Sequence, residues 1–272
     1  MKTNQFAIKL LVVSSMMITL ILASCTKSIH GNSDDDSGQV SLKASTDGLI
    51  GVVTKAATYN IPSELIPDVN DFSLHLLGTY LDPETNQNET FDHTYTELIE
   101  YNSNLPMLPA GEYSAKIYYG DKLAEGENKP YFEGSTTFTV IKRKKITENM
   151  TASVANSIFT FETGEWFRKY YKDASFTITD SNGGTYTFDG LVKPLIFTQV
   201  GATLTIKGSA TKISTGSTVE FPLTSINGVT KVKTLSTVVL DMEEAGTTDV
   251  TITFDDNVVE ATGAVVELNP SV

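Results

Sequence analysis

The single cysteine of the chain, Cys25, could carry a lipid on its sulfur. It closes the segment Leu22-Ala23-Ser24-Cys25, in which an apolar residue and two small residues precede the thiol. This spacing is typical of the box at which bacterial lipoprotein precursors are cut before a cysteine that is then acylated. Each buried CH₂ of a lipid chain contributes about 0.8 kcal/mol, so several chains hold a protein on a membrane almost permanently. Cys25 is therefore the predicted lipidation site.

Aromatic side chains are the second group that could do chemistry, because an exposed ring can stack on a sugar. Trp166, the only tryptophan, is followed by Phe167 and Tyr170. Tyr118 is predicted to point outward from a strand whose alternation places Tyr119 in the core. Trp166, Tyr170 and Tyr118 are therefore candidate ligand-binding residues. The alternative is that Trp166 and Phe167 cap a core, which is the commoner place for such rings.

The three histidines are His30, His75 and His93, and they show no zinc-ligand spacing. His30 is predicted to lie in a tether, His75 on the exposed face of a strand and His93 in a loop. No Gly-x-Ser-x-Gly sequence supports a serine nucleophile. Paired carboxylates are recognised by geometry, which an unfolded sequence does not give. We therefore expect no catalytic residue, no metal and no cofactor, and a hydrolase is the least favoured class.

The N-terminal residues that precede Cys25 have the features of an export signal. Lys2 and Lys9 accompany the apolar stretch Leu10–Leu22, whose 13 residues are fewer than the roughly 20 that a spanning helix needs. Residues 1–24 are predicted to be a lipoprotein signal peptide, with an ordinary signal peptide or an uncleaved anchor as alternatives. Residues 25–39 are polar and contain Ser, Gly and Asp, which predicts a disordered tether.

The charge of the chain excludes one class of partner. With 33 acidic and 20 basic residues the formal charge is −13, and nucleic-acid binding needs a basic surface instead. The run Lys142-Arg143-Lys144-Lys145 stands out against this background. It is interpreted as a solvated turn between domains, as a lipid-headgroup patch, or as a partner for acidic residues. The acidic cluster Ser33-Asp34-Asp35-Asp36 resembles the export signal of surface lipoproteins, and otherwise keeps the tether solvated.

Apolar and polar residues alternate through most of the remaining chain, which predicts strands with one buried face. Residues 113–119, 176–179 and 204–207 show this pattern. The sequence Asp180-Ser181-Asn182-Gly183-Gly184 predicts a hairpin turn. The one predicted helix covers residues 94–101 and has its apolar side chains on a single face.

Many short strands separated by Gly and Pro predict an all-β fold. We expect two tandem antiparallel β-sandwich domains of transthyretin or immunoglobulin type. The first is predicted over residues 40–150 and the second over residues 151–272, because a new strand begins near Ser153. No cysteine remains to form a disulfide, so apolar burial must hold both cores together.

Three motifs resemble an uncharacterised family of Bacteroidota lipoproteins of unknown function. They are the Pro-Ala-Gly-x-Tyr turn at 109–113, the Tyr-Tyr-Gly strand end at 118–120, and the Asn-Pro-Tyr-x-x-Gly-Ser-Thr-x-Phe segment at 128–138. Lys129 is inserted into the last motif, which lengthens a loop. The resemblance covers roughly residues 40–160.

The layout also resembles fimbrillin-type proteins, in which two transthyretin-like sandwiches follow a lipid-modified cysteine. Polymerising subunits of that type are cut after an arginine near their first strand. The only arginines here, Arg143 and Arg168, lie elsewhere. The resemblance therefore implies an anchor, a tip or a stand-alone surface protein rather than a shaft subunit.

Together these features predict a protein held on the outer membrane by its N-terminal lipid and exposed at the cell surface. Its expected role is non-enzymatic: adhesive, fimbrillin-like or scaffolding, with other surface proteins as partners. The alternative is a glycan-binding lipoprotein that works beside polysaccharide uptake.

Overall fold

The computed structural model describes residues 34–52, 58–189, 194–226, 230–242 and 250–254. Strands account for 59% of the structure, which confirms the predicted all-β class. The strands are β1 Ser37–Asp47, β2 Leu49–Val52, β3 Thr58–Asn60, β4 Ser73–Leu81, β5 Asn88–Tyr95, β6 Leu108–Pro109, β7 Gly111–Tyr119, β8 Gly126–Glu127, β9 Phe132–Val140, β10 Lys145–Val154, β11 Ser157–Thr163, β12 Tyr171–Asp180, β13 Thr185–Phe188, β14 Ile196–Thr198, β15 Leu204–Lys212, β16 Thr218–Ile226, β17 Thr234–Met242 and β18 Val250–Phe254.

Helical structure is limited to short pieces among the described residues. The α-helices are α1 Leu98–Asn104 and α2 Glu165–Tyr170, and the 3₁₀ turns are Asp34–Asp36, Ser63–Leu65 and Val69–Asp71. None of the helices in this part of the chain is long and apolar enough to cross a membrane.

The first sheet has the strand order β5-β4-β7-β9-β10-β1-β6. β6 lies at its far edge, yet only Ala110 separates β6 from β7, which is the third strand from the opposite edge. The sheet must therefore curl on itself, and it forms a half-barrel. Its concave face carries the alternating side chains Tyr113, Ala115 and Ile117 of β7, all of which are buried.

β1 is the strand that joins the N-terminal segment to this sheet. It runs parallel to β10 over nine residue pairs, from Gln39 opposite Lys145 to Asp47 opposite Ser153. In its first half β1 also bonds to α1. The Asn102 side chain accepts from the Leu42 N–H at 3.1 Å and donates to the Leu42 carbonyl at 2.8 Å. These bonds satisfy backbone groups that an edge strand would otherwise leave unpaired.

The second sheet has the order β3-β2-β17-β11-β14-β8, with β18 also paired to β17, and the third has the order β13-β12-β15-β16. β11 pairs in parallel with β17 and lies inside the second sheet. Six of its seven residues are buried, so it lacks the alternation of a strand with one wet face. A strand that is covered on both faces is expected to have a continuous run of buried residues without alternation.

Two apolar clusters share the second sheet. Ile158 of β11 and Phe197 of β14 belong to the cluster beneath the first sheet. Phe159 and Phe161 of β11 belong to the other cluster, together with side chains of the third sheet such as Phe176. The second sheet thus separates the two cores and contributes side chains to both.

Glu125 ties the loop between β7 and β9 to the second half of the chain. Its Oε1 accepts from the Thr198 hydroxyl at 2.7 Å, the Gln199 N–H at 2.8 Å and the Asn182 amide at 3.0 Å. These three hydrogen bonds fix the Glu125 side chain between the two halves of the chain. The loop then continues into β8, which pairs with β14.

Most predicted elements are present, with changes at their ends. The predicted Asp180 turn joins β12 to β13, and the Asp180 carboxylate accepts from the Asn182 N–H, the Gly184 N–H and the Tyr186 hydroxyl. The predicted helix begins later, at Leu98, because residues before Tyr95 pair with β4. Leu98 is buried as expected.

The tether prediction is wrong at its end, because β1 begins at Ser37. Ser37 is buried, and a Cβ atom on Gly38 would meet the Ile141 carbonyl oxygen at 2.3 Å. The glycine that contributed to the prediction of disorder instead allows two backbones to approach closely. The predicted division after residue 150 falls inside β10, and β2, β3 and β8 pair in the sheet that contains β11.

Candidate binding face

The convex face of the first sheet carries two neighbouring rows of polar side chains that cross its strands. Strand register places the members of each row directly opposite one another. The first row is Thr94, His75, Lys116 and Ser135, and the second is Ser73, Tyr118, Glu133, Ser153 and Asp47. We call these nine residues the belt. Because side chains alternate along a strand, the belt lies opposite the buried face of β7.

Two lysine–carboxylate pairs and one histidine–carboxylate hydrogen bond link the belt internally and to its surroundings. Lys116 Nζ lies 2.9 Å from Glu133 Oε2, which joins the two rows at their centre. His75 Nε2 lies 2.8 Å from Asp92 Oδ1 at one end. Asp47 Oδ2 accepts from Lys233 Nζ at 2.8 Å at the other end. Each cationic or imidazole side chain named here thus has a carboxylate partner.

The surroundings of two carboxylates favour their charged forms. The hydrogen bond from Lys116 holds the pKa of Glu133 below its usual range, aided by the Tyr131 hydroxyl and opposed by partial burial. The hydrogen bond from Lys233, with a second from the Leu49 N–H, likewise lowers the pKa of Asp47. Both carboxylates therefore hold their charge more strongly than an isolated carboxylate does.

Two shallow grooves follow the belt and meet at Lys116. One has a volume of about 350 Å³ and is lined by His75, Thr94, Lys116, Tyr118 and Tyr131. The other, of about 360 Å³, continues past Glu133, Ser135 and Ser153 to Lys233. Volumes of this size are in the range of small-ligand sites.

The three candidate aromatics do not come together. Tyr118 lies in the belt on β7, whereas Trp166 and Tyr170 lie on α2. Lys169 Nζ lies 3.6 Å from the centre of the Trp166 ring, so a cation already covers one ring face. Tyr170 is 40% exposed. Cys25 and His30 lie outside the described residues.

Two placements predicted near these residues are wrong. Tyr119 was expected in the core, but it is 38% exposed. It lies on the concave side and contacts Phe72, at a centroid distance of 5.7 Å, but at the end of β7 where the core stops. His93 was expected in a loop and instead lies in β5, 4.4 Å from the Tyr95 ring. The sequence Asp92-His93 is typical of a turn, but both residues pair with β4 and therefore lie in a strand.

The basic run occupies the turn between β9 and β10 of the first sheet, and not a junction between domains. Lys142 donates to Asp36, and Arg143 Nη2 lies 2.9 Å from Asp35 Oδ1. The acidic residues that precede β1 therefore cover part of this run. Exposed pairs of this kind contribute about 0–1 kcal/mol each, so they position the segment more than they stabilise it.

Within the ranges that the structure describes, no three His, Cys, Asp or Glu side chains form a group that could hold a metal ion. A family model described as a domain of unknown function, DUF4493, matches residues 36–270. The chain belongs to the DUF4493 family. The start of the match agrees closely with the start of β1, and a comparison with curated proteins found no match.

Several solved structures of Bacteroides proteins are similar to this DUF4493 protein. A candidate polysaccharide-binding protein of Bacteroides thetaiotaomicron is 11% identical, with 79% of this chain and 95% of that chain covered and a TM-score of 0.39. A candidate cell adhesion protein of Bacteroides eggerthii is 9% identical, with 86% and 96% covered and a TM-score of 0.36. A fimbrial protein of Bacteroides ovatus is 7% identical, with 81% and 54% covered and a TM-score of 0.35.

Sequence reasoning on this DUF4493 protein found Tyr118 but missed its neighbours. His75 was already predicted on the exposed face of its strand, and Lys116 likewise alternates with buried residues, whereas Glu133 lies between buried Phe132 and partly buried Gly134. Their alignment into rows could not be read from the sequence, because it depends on the pairing of β4, β7 and β9. Polar residues are common on the solvent-exposed face of a strand. They form the belt only because the register of the strands aligns them.

Proposed function

We propose that this chain is a lipid-anchored outer-membrane protein, displayed on the cell surface, with an adhesive role that involves no catalysis. The belt is the observation that carries the proposal, because it is an open, partly exposed row of polar groups on a rigid sheet. Two sandwich-like units behind a lipidated Cys25 would hold it away from the membrane, as in a fimbrillin-type tip or stand-alone protein.

A sheet face suits binding because its side chains are already held in position. The belt draws on β1, β4, β5, β7, β9 and β10, so the backbone hydrogen bonds of six strands fix its geometry. Few side chains of the belt therefore have to be immobilised when a partner binds, which lowers the entropic cost of association. This preorganisation supports a role in which affinity, not turnover, is the function.

The predicted lipid on Cys25 determines the cell fraction in which we expect the protein. We expect Cys25→Ala to move the protein from the membrane fraction almost completely into the soluble fraction, because the acyl chains provide the attachment. Fractionation of cells that produce either form would measure this. On intact cells that produce the unaltered chain, added protease should digest it. Protection from protease would contradict surface display.

If the belt is the adhesive surface, changing its central residues should reduce the attachment of cells that display the protein. We expect the double variant Lys116→Ser/Glu133→Ser to lower attachment of displaying cells to an epithelial cell layer about tenfold, the equivalent of about 1.4 kcal/mol in binding. Removing both partners leaves no unpaired charge. A matched control is Lys169→Ser/Glu165→Ser, which removes an exposed pair of 3.0 Å on α2. Equal attachment by both variants would overturn the belt as the adhesive surface.

A further inference from the structure

We infer that the belt binds an uncharged, hydroxyl-rich glycan chain that lies across the strands, an inference that rests on the adhesive role proposed above. The charges of the belt are its first support. Lys116 is paired with Glu133, Asp47 with Lys233 and His75 with Asp92. An anionic ligand would have to break these pairs or approach their carboxylates, whereas a neutral hydroxyl can add to them.

Sugar hydroxyls match both kinds of group that the pairs present. Each hydroxyl is a donor and an acceptor, so it can donate to a carboxylate and accept from an ammonium group without separating them. Hydrogen bonds to ionised partners are roughly twice as strong as those between neutral groups. The hydroxyls of Thr94, Ser135 and Ser153 add further donors and acceptors along the belt.

The direction of the belt sets the direction of the ligand. The two rows run perpendicular to the strands, from Thr94 on β5 to Asp47 on β1. Five strand spacings of about 4.8 Å give a length of about 24 Å. The two grooves join end to end at Lys116. A narrow, extended path of this length fits a linear oligosaccharide better than a single sugar.

Tyr118 provides the ring on which one sugar would stack. It lies in the second row beside Glu133 and is partly exposed in the groove. The neighbouring Tyr131 is 5% exposed, and its hydroxyl already donates to Glu133 Oε2 at 3.0 Å. Tyr131 therefore supports the site from below, and Tyr118 is the ring left for a ligand.

The same features disfavour a protein partner. Stable protein interfaces bury about 800 Å² on each side and have a core of apolar and aromatic anchors. Among the nine belt residues Tyr118 is the only one with a large apolar ring, and the other eight are polar or charged. A polar strip with one such ring is the pattern expected for hydroxyl recognition.

Isothermal titration calorimetry on the detergent-solubilised full-length protein would test the inference. The probes are neutral linear fragments of xylan, glucan and mannan, and a polygalacturonate fragment as the anionic comparison. We expect at least one neutral fragment to bind, and Tyr118→Ala to weaken that binding about tenfold or more. Trp166→Ala should change it by less than about twofold.

Two further variants keep the test decisive. Tyr118→Phe retains the ring and should retain binding. Ser135→Arg adds bulk at an exposed belt position and should block the neutral fragment even if Tyr118→Ala unfolds. Binding of the anionic fragment alone, or unchanged neutral binding by Tyr118→Ala and Ser135→Arg, would overturn the inference. If no glycan binds and attachment of cells still depends on the belt, the ligand class is wrong and the adhesive role stands.

Discussion

Raising the pH from about 10 to about 11 should lower the free energy of unfolding by about 3 kcal/mol, because the tyrosines of the unfolded chain are only half deprotonated at the start of this range. The cause is a set of three buried tyrosines, of which Tyr101 and Tyr113 lie in the core beneath the first sheet and Tyr131 lies under the belt. Tyr101 is fully buried and donates to the Val40 carbonyl at 2.7 Å. Tyr113 donates to the Pro109 carbonyl at 3.0 Å, and Tyr131 donates to Glu133.

Burial raises the pKa of Tyr101, Tyr113 and Tyr131 well above the ordinary tyrosine value. Below about pH 10 both the folded and the unfolded chain keep these protons, so the stability is unaffected. Above it the unfolded chain loses three protons that the folded chain retains. Each proton then lowers the stability by about 1.4 kcal/mol per pH unit, and the loss continues as the pH rises toward the folded-state pKa values.

Urea unfolding at a series of alkaline pH values would measure this slope. Tyr101→Phe should make the slope shallower by the contribution of one proton, about 1 kcal/mol between pH 10 and pH 11. Phe72→Leu, at a fully buried position without a proton, should lower the stability by the same amount at every pH. A slope that Tyr101→Phe leaves unchanged would contradict the assignment to these hydroxyls.

Local patterns predicted the individual strands well, and failed where contacts came from distant parts of the chain. β7 could be read from the alternation of Tyr113, Ala115 and Ile117, since one face meets the core and the other meets water. β11 could not be read in the same way, because it lies between two cores and is buried on both sides. Whether a strand has one covered face or two depends on the layers around it.

The candidate site shows the same limit. Tyr118 was recognised as an outward aromatic because one strand suffices to define its direction. The rest of the belt depends on register between β4, β7, β9 and β10, whose paired residues lie up to tens of positions apart. A shift of one residue in any of these pairings would send the belt residues of that strand to the opposite face. The alternation of residues in the sequence predicts which face of a strand each side chain lies on. Only the pairing of the strands determines which of these side chains come together in the belt.

β1 connects the two functional features of the chain. Its start at Ser37 follows the acidic segment that leads from the predicted anchor, and its end at Asp47 completes the belt. Any force on the tether is therefore transmitted into the first sheet through β1. In the proposed function, its parallel pairing with β10 and its bonds to α1 would connect the belt to the predicted anchor.

Val40→Asp should consequently destabilise the protein by about 3–5 kcal/mol, the usual cost of leaving a charge buried without a partner. Val40 is fully buried in the middle of β1, and its carbonyl accepts the Tyr101 hydroxyl. Because native proteins are stable by only about 5–15 kcal/mol, this is a large share of the total. Denaturant unfolding would measure the loss.

Lys43→Asp is the matched control, since Lys43 is exposed on the same strand and the change introduces the same carboxylate. Surface substitutions of this kind usually stay within about 0.5 kcal/mol. On intact cells, limited proteolysis should release the body of Val40→Asp much faster than that of Lys43→Asp, because an unpaired β1 is open to cleavage. Equal unfolding midpoints for the two variants would show that β1 does not hold the first core, and the path from anchor to belt would have to run through other strands.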